Sequence, residues 1–180
     1  AVEISSNGIV DRGDKAMLVG TKDGISYRIY VGIKKSDLPT LPEGYKISRA
    51  GFVLLPNSVL KTSFLEEYNI YAFDNMLYSD LTWNTSGTLG VAEIIETLGV
   101  SNVKEWTQID ISVKDKIAEW LMTGETENYC GIMLKKEVED TTANSNISFG
   151  ANNATYIVER PLLYIEYASE DAYADHQKHH

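Results

Sequence analysis

Residues 27–33 read Tyr-Arg-Ile-Tyr-Val-Gly-Ile. In an extended chain successive side chains point to opposite faces. Tyr27, Ile29, Val31 and Ile33 therefore share one face, and Arg28, Tyr30, Gly32 and Lys34 share the other. A helix would scatter the four apolar residues around its circumference, so the spacing predicts a strand with one core-facing side. The next nine residues, Ser-Asp-Leu-Pro-Thr-Leu-Pro-Glu-Gly at 36–44, are rich in turn formers. A second strand is predicted over 46–55, with Ala50, Phe52 and Leu54 on one face. Pro56-Asn57 is expected to end it, because proline cannot donate to a central ladder.

Working outward, the same signals predict strands over 2–5, 16–19, 67–74, 103–113, 129–135, 147–151 and 162–167. One segment reads as a helix. Ser112 is a suitable N-cap with Asp115 three residues on, Val113, Ile117, Trp120 and Leu121 follow at helical spacing, and Gly124 ends the run. A short helical turn is expected over 91–98, where Ala92, Ile95 and Leu98 recur at helical intervals. Many short strands, and no alternation of strands with helices, predict an all-β antiparallel β-sandwich of jelly-roll type with one short helix. Neither an internal repeat nor a composition break interrupts residues 1–168, which are expected to form one domain, followed by a tail over 169–180. A domain of this size buries about 70% of its unfolded surface, enough for a real core.

Composition narrows the function. Of 180 residues, 26 are Asp or Glu and 16 are Lys or Arg, a net charge of -10. That argues against a nucleic-acid partner, which calls for clustered basic residues. No apolar run reaches membrane-spanning length, so membrane insertion is not expected. The chain starts at Ala1, which fits a removed leader or a domain of a longer protein. The single cysteine, Cys130, sits in an apolar run and reads as a small buried hydrophobe. All three histidines, His176, His179 and His180, fall in the last five residues, so neither a Ser-His-Asp arrangement nor a zinc site can be built from the body of the domain. Carboxylate pairs such as Glu66-Glu67 arise in any chain this acidic, and glycoside hydrolysis needs a fixed separation across a cleft. No enzyme is expected. Asn84, Asn146 and Asn153 open N-glycosylation patterns that act only in a glycosylating host.

Five blocks occur in a recognisable order: residues 27–54, 69–84, 107–136, 146–152 and 160–167. Their markers are Arg28, Leu38-Pro39 or Leu41-Pro42, and Ala50-Gly-Phe-Val-Leu54; Thr82-Trp83-Asn84; Gln108-Ile-Asp-Ile-Ser112, Trp120 and Asn128-Tyr129-Cys130-Gly131-Ile132; Ser148-Phe149; and Arg160-Pro161 before Leu-Leu-Tyr-Ile-Glu-Tyr167. In this order they resemble the DNRLRE domain, a module related to the repeats of archaeal disaggregatase, over about residues 17–167. The resemblance implies a non-catalytic carbohydrate-binding module of a secreted or cell-surface protein, whose partners are a polysaccharide and the other domains of its parent. Relatives include an alginate-binding group. It equally admits a structural or adhesive spacer in a bacterial or archaeal surface protein. Two departures stand out. The usual Asp-Ala-Tyr-Val opening is replaced by Ala1-Val-Glu-Ile4, and an Asp171-Ala172-Tyr173 copy appears after the last strand.

The outward face of 27–34 is the sequence's best ligand candidate, placing Arg28, Tyr30 and Lys34 in line beside Gly32. Arg49 would point the same way if the two strands pair, and Lys15 and Lys22 lie on nearby loops. Such cations suit the carboxylates of an acidic polysaccharide. The competing reading makes Arg28 a structural cation, paired with a sheet carboxylate such as Glu166 or Asp110. Trp106 is the tryptophan free to stack on a sugar, whereas Trp83 and Trp120 read as core. Asp11, Asp14 and Asp23 offer hard oxygen ligands for a structural Ca²⁺, against the simpler reading of a solvated acidic loop.

Overall fold

The computed structural model describes residues 1–8, 10–12, 15–86, 91–122 and 127–171, the side chains of 11, 12, 91, 92 and 122 excepted. It is an all-β, sandwich-like arrangement of two antiparallel sheets. Its strands are β1 (Val2–Ser5), β2 (Val10–Arg12), β3 (Ala16–Lys22), β4 (Ile25–Lys34), β5 (Tyr45–Leu54), β6 (Pro56–Leu60), β7 (Glu67–Met76), β8 (Val91–Gly99), β9 (Ile109–Ser112), β10 (Tyr129–Lys136), β11 (Ser145–Gly150) and β12 (Leu162–Ser169). One helix, α1 (Lys114–Met122), follows β9. The large sheet runs β6-β11-β3-β4-β10-β7-β8, with β1 added on β4 and β2 on β1. The small sheet runs β12-β5-β9. No helix among the described residues is long and apolar enough to cross a membrane.

The main core fills the space between the sheets. The alternation of residues 27–33 supplies Ile29 and Val31 from the large sheet, and Ala50, Phe52 and Leu54 answer from the small one. Val113, Ile117 and Trp120 bring α1 onto the same core. Cys130 is fully buried there, and burial, helped by the nearby Asp74 charge, pushes its thiol up to about 12, so it is an inert packing residue at neutral pH.

Three local expectations are corrected. Residues 91–99 are a strand, not a helical turn. Two register shifts in the β7–β8 ladder break the period of two, which leaves an apolar spacing of three in the sequence. β5 ends at Leu54, ahead of Pro56 as expected, and Pro56 then opens β6, a strand at the edge of the large sheet. The strand expected over 103–113 is confined to Ile109–Ser112, since 100–107 is occupied by tight turns. Finally, Val113 rather than Ser112 precedes the helix, its carbonyl accepting from the N–H groups of Lys116 and Ile117. Gly124, the expected helix stop, lies outside the described residues.

The close approach of β10 to β4 rests on a pair of glycines, Gly131 opposite Gly32. A Cβ on Gly131 would lie 2.2 Å from the Val31 carbonyl oxygen and 2.6 Å from the Gly32 Cα, both backbone atoms that cannot swing aside. Gly131→Ala is therefore expected to destabilise by about 3 kcal/mol, the upper part of the range for overpacking. Thermal unfolding checks this, and a melting temperature within about 2 °C of the parent would show that the two strands can part at little cost.

Candidate functional site on the open face of the small sheet

The face of β4 that sequence reasoning favoured is roofed over. Tyr30 is completely buried in a second cluster with Val2, Ile4, Phe73, Met76, Leu81 and Met133, on the side of the large sheet away from the main core. Residues 77–86 supply Leu81 and Trp83 to this roof. Arg28 is held beneath it. Its Nη2 donates to Glu139 Oε1 at 2.7 Å and its Nε to Glu139 Oε2 at 3.0 Å. Its Nη1 donates to the Ser86 carbonyl at 2.9 Å, and the guanidinium lies 3.8 Å from the Trp83 ring centre. Arg28 is thus the structural cation of the competing reading, with Glu139 as partner in place of Glu166 or Asp110. Lys34, half-buried at the strand end, pairs with Glu127 at 3.2 Å, which raises the pKa of its ammonium.

The remaining candidates are scattered. Lys15 precedes β3, and Lys22 ends it at the other side of the sheet. Arg49 stands on β5 of the small sheet, which does not pair with β4. Trp106 is 60% exposed on the turn before β9, and adopts φ 62. A left-handed backbone is costly for so bulky a residue, and such outliers concentrate where a site needs a side chain aimed in one direction. Asp23, also exposed, caps the β3–β4 turn, its N–H donating to Asn144 Oδ1. Asp14 and the side chain of Asp11 lie outside the described residues. Among the described residues no group of three or more His, Cys, Asp or Glu is placed to hold a metal ion.

Arg49, a ligand candidate of the sequence, converges on the outer face of the small sheet with Asp110 and Glu166, which the sequence offered only as carboxylates for Arg28, and with Tyr164, which it did not single out. Alternation decides the membership of this group. β12 turns Leu163 and Ile165 to the core and leaves Tyr164 and Glu166 outward. β5 turns Ala50 and Phe52 inward, leaving Arg49 outward, and β9 turns Ile111 inward, leaving Asp110 outward. Tyr164 can cross the sheet because residue 51 is glycine. A Cβ there would sit 2.4 Å from Asp110 Oδ1 and 2.8 Å from the Tyr164 hydroxyl. That hydroxyl donates to Asp110 Oδ2 at 2.7 Å. Arg49 Nη1 donates to Glu166 Oε1 at 3.3 Å, Nη2 reaches the Tyr164 hydroxyl at 3.4 Å, and the guanidinium carbon lies 5.2 Å from the Tyr164 ring centre. Partial burial, reinforced by the Asp110 carboxylate, raises the Tyr164 pKa, so the phenol stays protonated and donating.

Arg49, Asp110 and Tyr164 border a hollow of about 300 Å³ with Ser112 and Lys114. Lys114 also lines a wider groove of about 890 Å³, which runs between α1 and residues 38–41 past Tyr45 and Lys46. The two depressions therefore adjoin along one side of the molecule. Two cations, two carboxylates, a phenol and a hydroxyl share this side of the molecule, and hydrogen bonds among Arg49, Tyr164, Asp110 and Glu166 fix the directions of those four. Sequence reasoning could have found Tyr164 and Glu166 from the alternation of residues 162–167. It could not know that β12 lies beside β5. No known family model matches this chain, and no curated protein matches it.

Proposed function

We propose that this chain is a non-catalytic carbohydrate-binding module of a secreted or cell-surface protein, and that it holds a polysaccharide on the open face of its small sheet. The observation that carries the reading is the exposed Arg49–Tyr164–Asp110–Glu166 array, set across Gly51 and continued into a groove by way of Lys114. Sugars present vicinal hydroxyls that match planar side chains with fixed donors and acceptors, and C–H faces that match an aromatic ring. A polymer further needs an extended track rather than a closed cavity, and adjoining depressions supply one. Trp106 lies on the turn leading into β9 and is available to stack on a further residue of the chain. The resemblance to the DNRLRE domain supports the same class.

Affinity electrophoresis through alginate, pectin and plant glucans tests this reading. Retardation by at least one polymer is expected, and Arg49→Ala and Tyr164→Ala should each weaken it by about tenfold, the equivalent of 1.4 kcal/mol. Far-UV circular dichroism of both variants should match the parent. Free migration in every polymer would remove the proposal. Retardation untouched by either substitution would move the site elsewhere.

The second reading, a structural or adhesive spacer of a multidomain surface protein, draws on a different observation. Arg28, the leading cation of the first block, is spent on scaffolding, paired with Glu139 and locked under Trp83.

A further inference from the structure

Two apolar patches lie at opposite ends of the large sheet. At one end β11 begins, where Asn146 pairs with Leu60, and the loops 61–66 and 137–144 project. Phe64 is 72% exposed, Leu65 88% and Val138 66%. Leu65 and Val138 border a shallow hollow together with Glu67, Glu137 and Asp140. At the other end β11 stops at Gly150, opposite Ala16, and the loop 151–161 projects. Tyr156, Ile157 and Val158 are 68%, 79% and 63% exposed there. The exposed cations Arg160 and Lys15 flank this loop. The six residues of β11 separate the two ends by about 20 Å.

Neither patch is a slack loop. The first is tied down from within: Glu66 accepts from the N–H groups of Thr62 and Ser63, from the Ser145 hydroxyl and from the Lys136 ammonium. The second is closed by Ala154 N–H to the Ala151 carbonyl, Glu159 N–H to the Tyr156 carbonyl, and Arg160 Nε to the Ala154 carbonyl. Large apolar side chains kept in water on pre-ordered loops mark an interaction surface, because ordering costs are already met before a partner arrives. The polar rims differ in net character: Glu67, Glu137 and Asp140 outnumber Lys61, which lies over the Phe64 ring, at one end, and Lys15 and Arg160 outnumber Glu159 at the other, which steers one end toward the other and away from itself.

We infer that the two ends bind each other, the 151–161 loop of one copy of this chain seating on the Phe64, Leu65 and Val138 end of the next. Such a contact is heterologous: each copy uses two different surfaces, so assembly passes beyond a two-fold dimer into a ring or an open array. The contact is small and hence weak in free solution. This interface is independent of the sugar-binding face, since Arg49 and Tyr164 take no part in it.

Sedimentation equilibrium of the purified chain from micromolar to millimolar concentration tests the inference. The mean mass should keep rising with concentration rather than level off at a dimer, and added salt should lower it. The double variants Phe64→Ser with Leu65→Ser, and Ile157→Ser with Val158→Ser, change only exposed side chains and each block one end. Alone, each should associate about tenfold more weakly or worse. Mixed, they should form a one-to-one pair that grows no further, because each supplies the end the other lacks. A parent that stays monomeric at millimolar concentration overturns the inference. So does a mixture that stays monomeric although both variants are folded, and so does a mass that plateaus at a symmetric dimer.

Discussion

Replacing Glu66 by Gln is expected to cost about 3 kcal/mol of stability at neutral pH, and progressively less as the solution is acidified. The carboxylate sits under the first apolar loop, with only a tenth of its side chain exposed, 2.7 Å from an equally buried Lys136 ammonium. Burial by itself would raise its pKa. The Lys136 ammonium, the Ser145 hydroxyl and the Ser63 and Thr62 amides outweigh that and hold it at about 2, against an ordinary value of 4.5. A carboxylate depressed in the folded state stabilises above its ordinary pKa and loses that contribution as pH falls toward the folded value. The Glu66 contribution is therefore complete above pH 4.5, declines below it and is largely gone near pH 2. Glutamine keeps the size and an acceptor but leaves the Lys136 charge buried without a counter-charge, and removal of one partner from such a pair costs about 3–5 kcal/mol. Urea unfolding of both proteins between about pH 7 and pH 3 provides the check: the gap between them should narrow on acidification. A gap that stays constant across that range would show that the pair adds no pH-dependent stability.

Trp120→Ala is expected to cost about 3–5 kcal/mol, the range for emptying a buried tryptophan site. Trp120 is the largest side chain that α1 buries in the core. With Val113 and Ile117 it joins the core formed by Ala50, Phe52 and Leu54, and the Val113 N–H also donates to the Ala50 carbonyl. Truncation removes the transfer energy of the indole and leaves unfilled the space it occupies between α1 and β5. For a chain of this size the melting temperature should fall by about 10 °C. Trp106→Ala is the control: the indole is mostly in water, so its loss should change stability by less than about 0.5 kcal/mol. Equal losses at both positions would mean that α1 is not anchored through Trp120.

The sequence was most legible where a side chain's neighbours follow from its own strand. The inward set Ile29 and Val31, and the set Ala50, Phe52 and Leu54, were readable because alternation is a local property of extended backbone. Trp120 on the apolar face of a short helix was readable for the same reason. Residues 91–99 were misread because bulges in a partner ladder, not anything within the segment, set where its apolar residues fall. That Pro56 also opens a further strand was not legible, because this depends on its lying at a sheet edge, a fact of topology.

The candidate site shows the same division more sharply. A β-rich chain, the helix that carries Trp120 and the inward faces of residues 27–33 and 46–55 were legible from local pattern alone. Only the tertiary structure decided which outward faces meet water. The outward face of β4 is covered because residues 77–86 fold back across it and close Trp83 over Arg28. The outward face of β5 stays open because its neighbours are β12 and β9, whose own outward residues Tyr164, Glu166 and Asp110 then complete Arg49. Both faces carry an arginine beside aromatic and acidic residues, so composition cannot separate them. The separation comes from contacts between segments more than fifty residues apart, and alternation within one strand carries no information about what lies across the sheet.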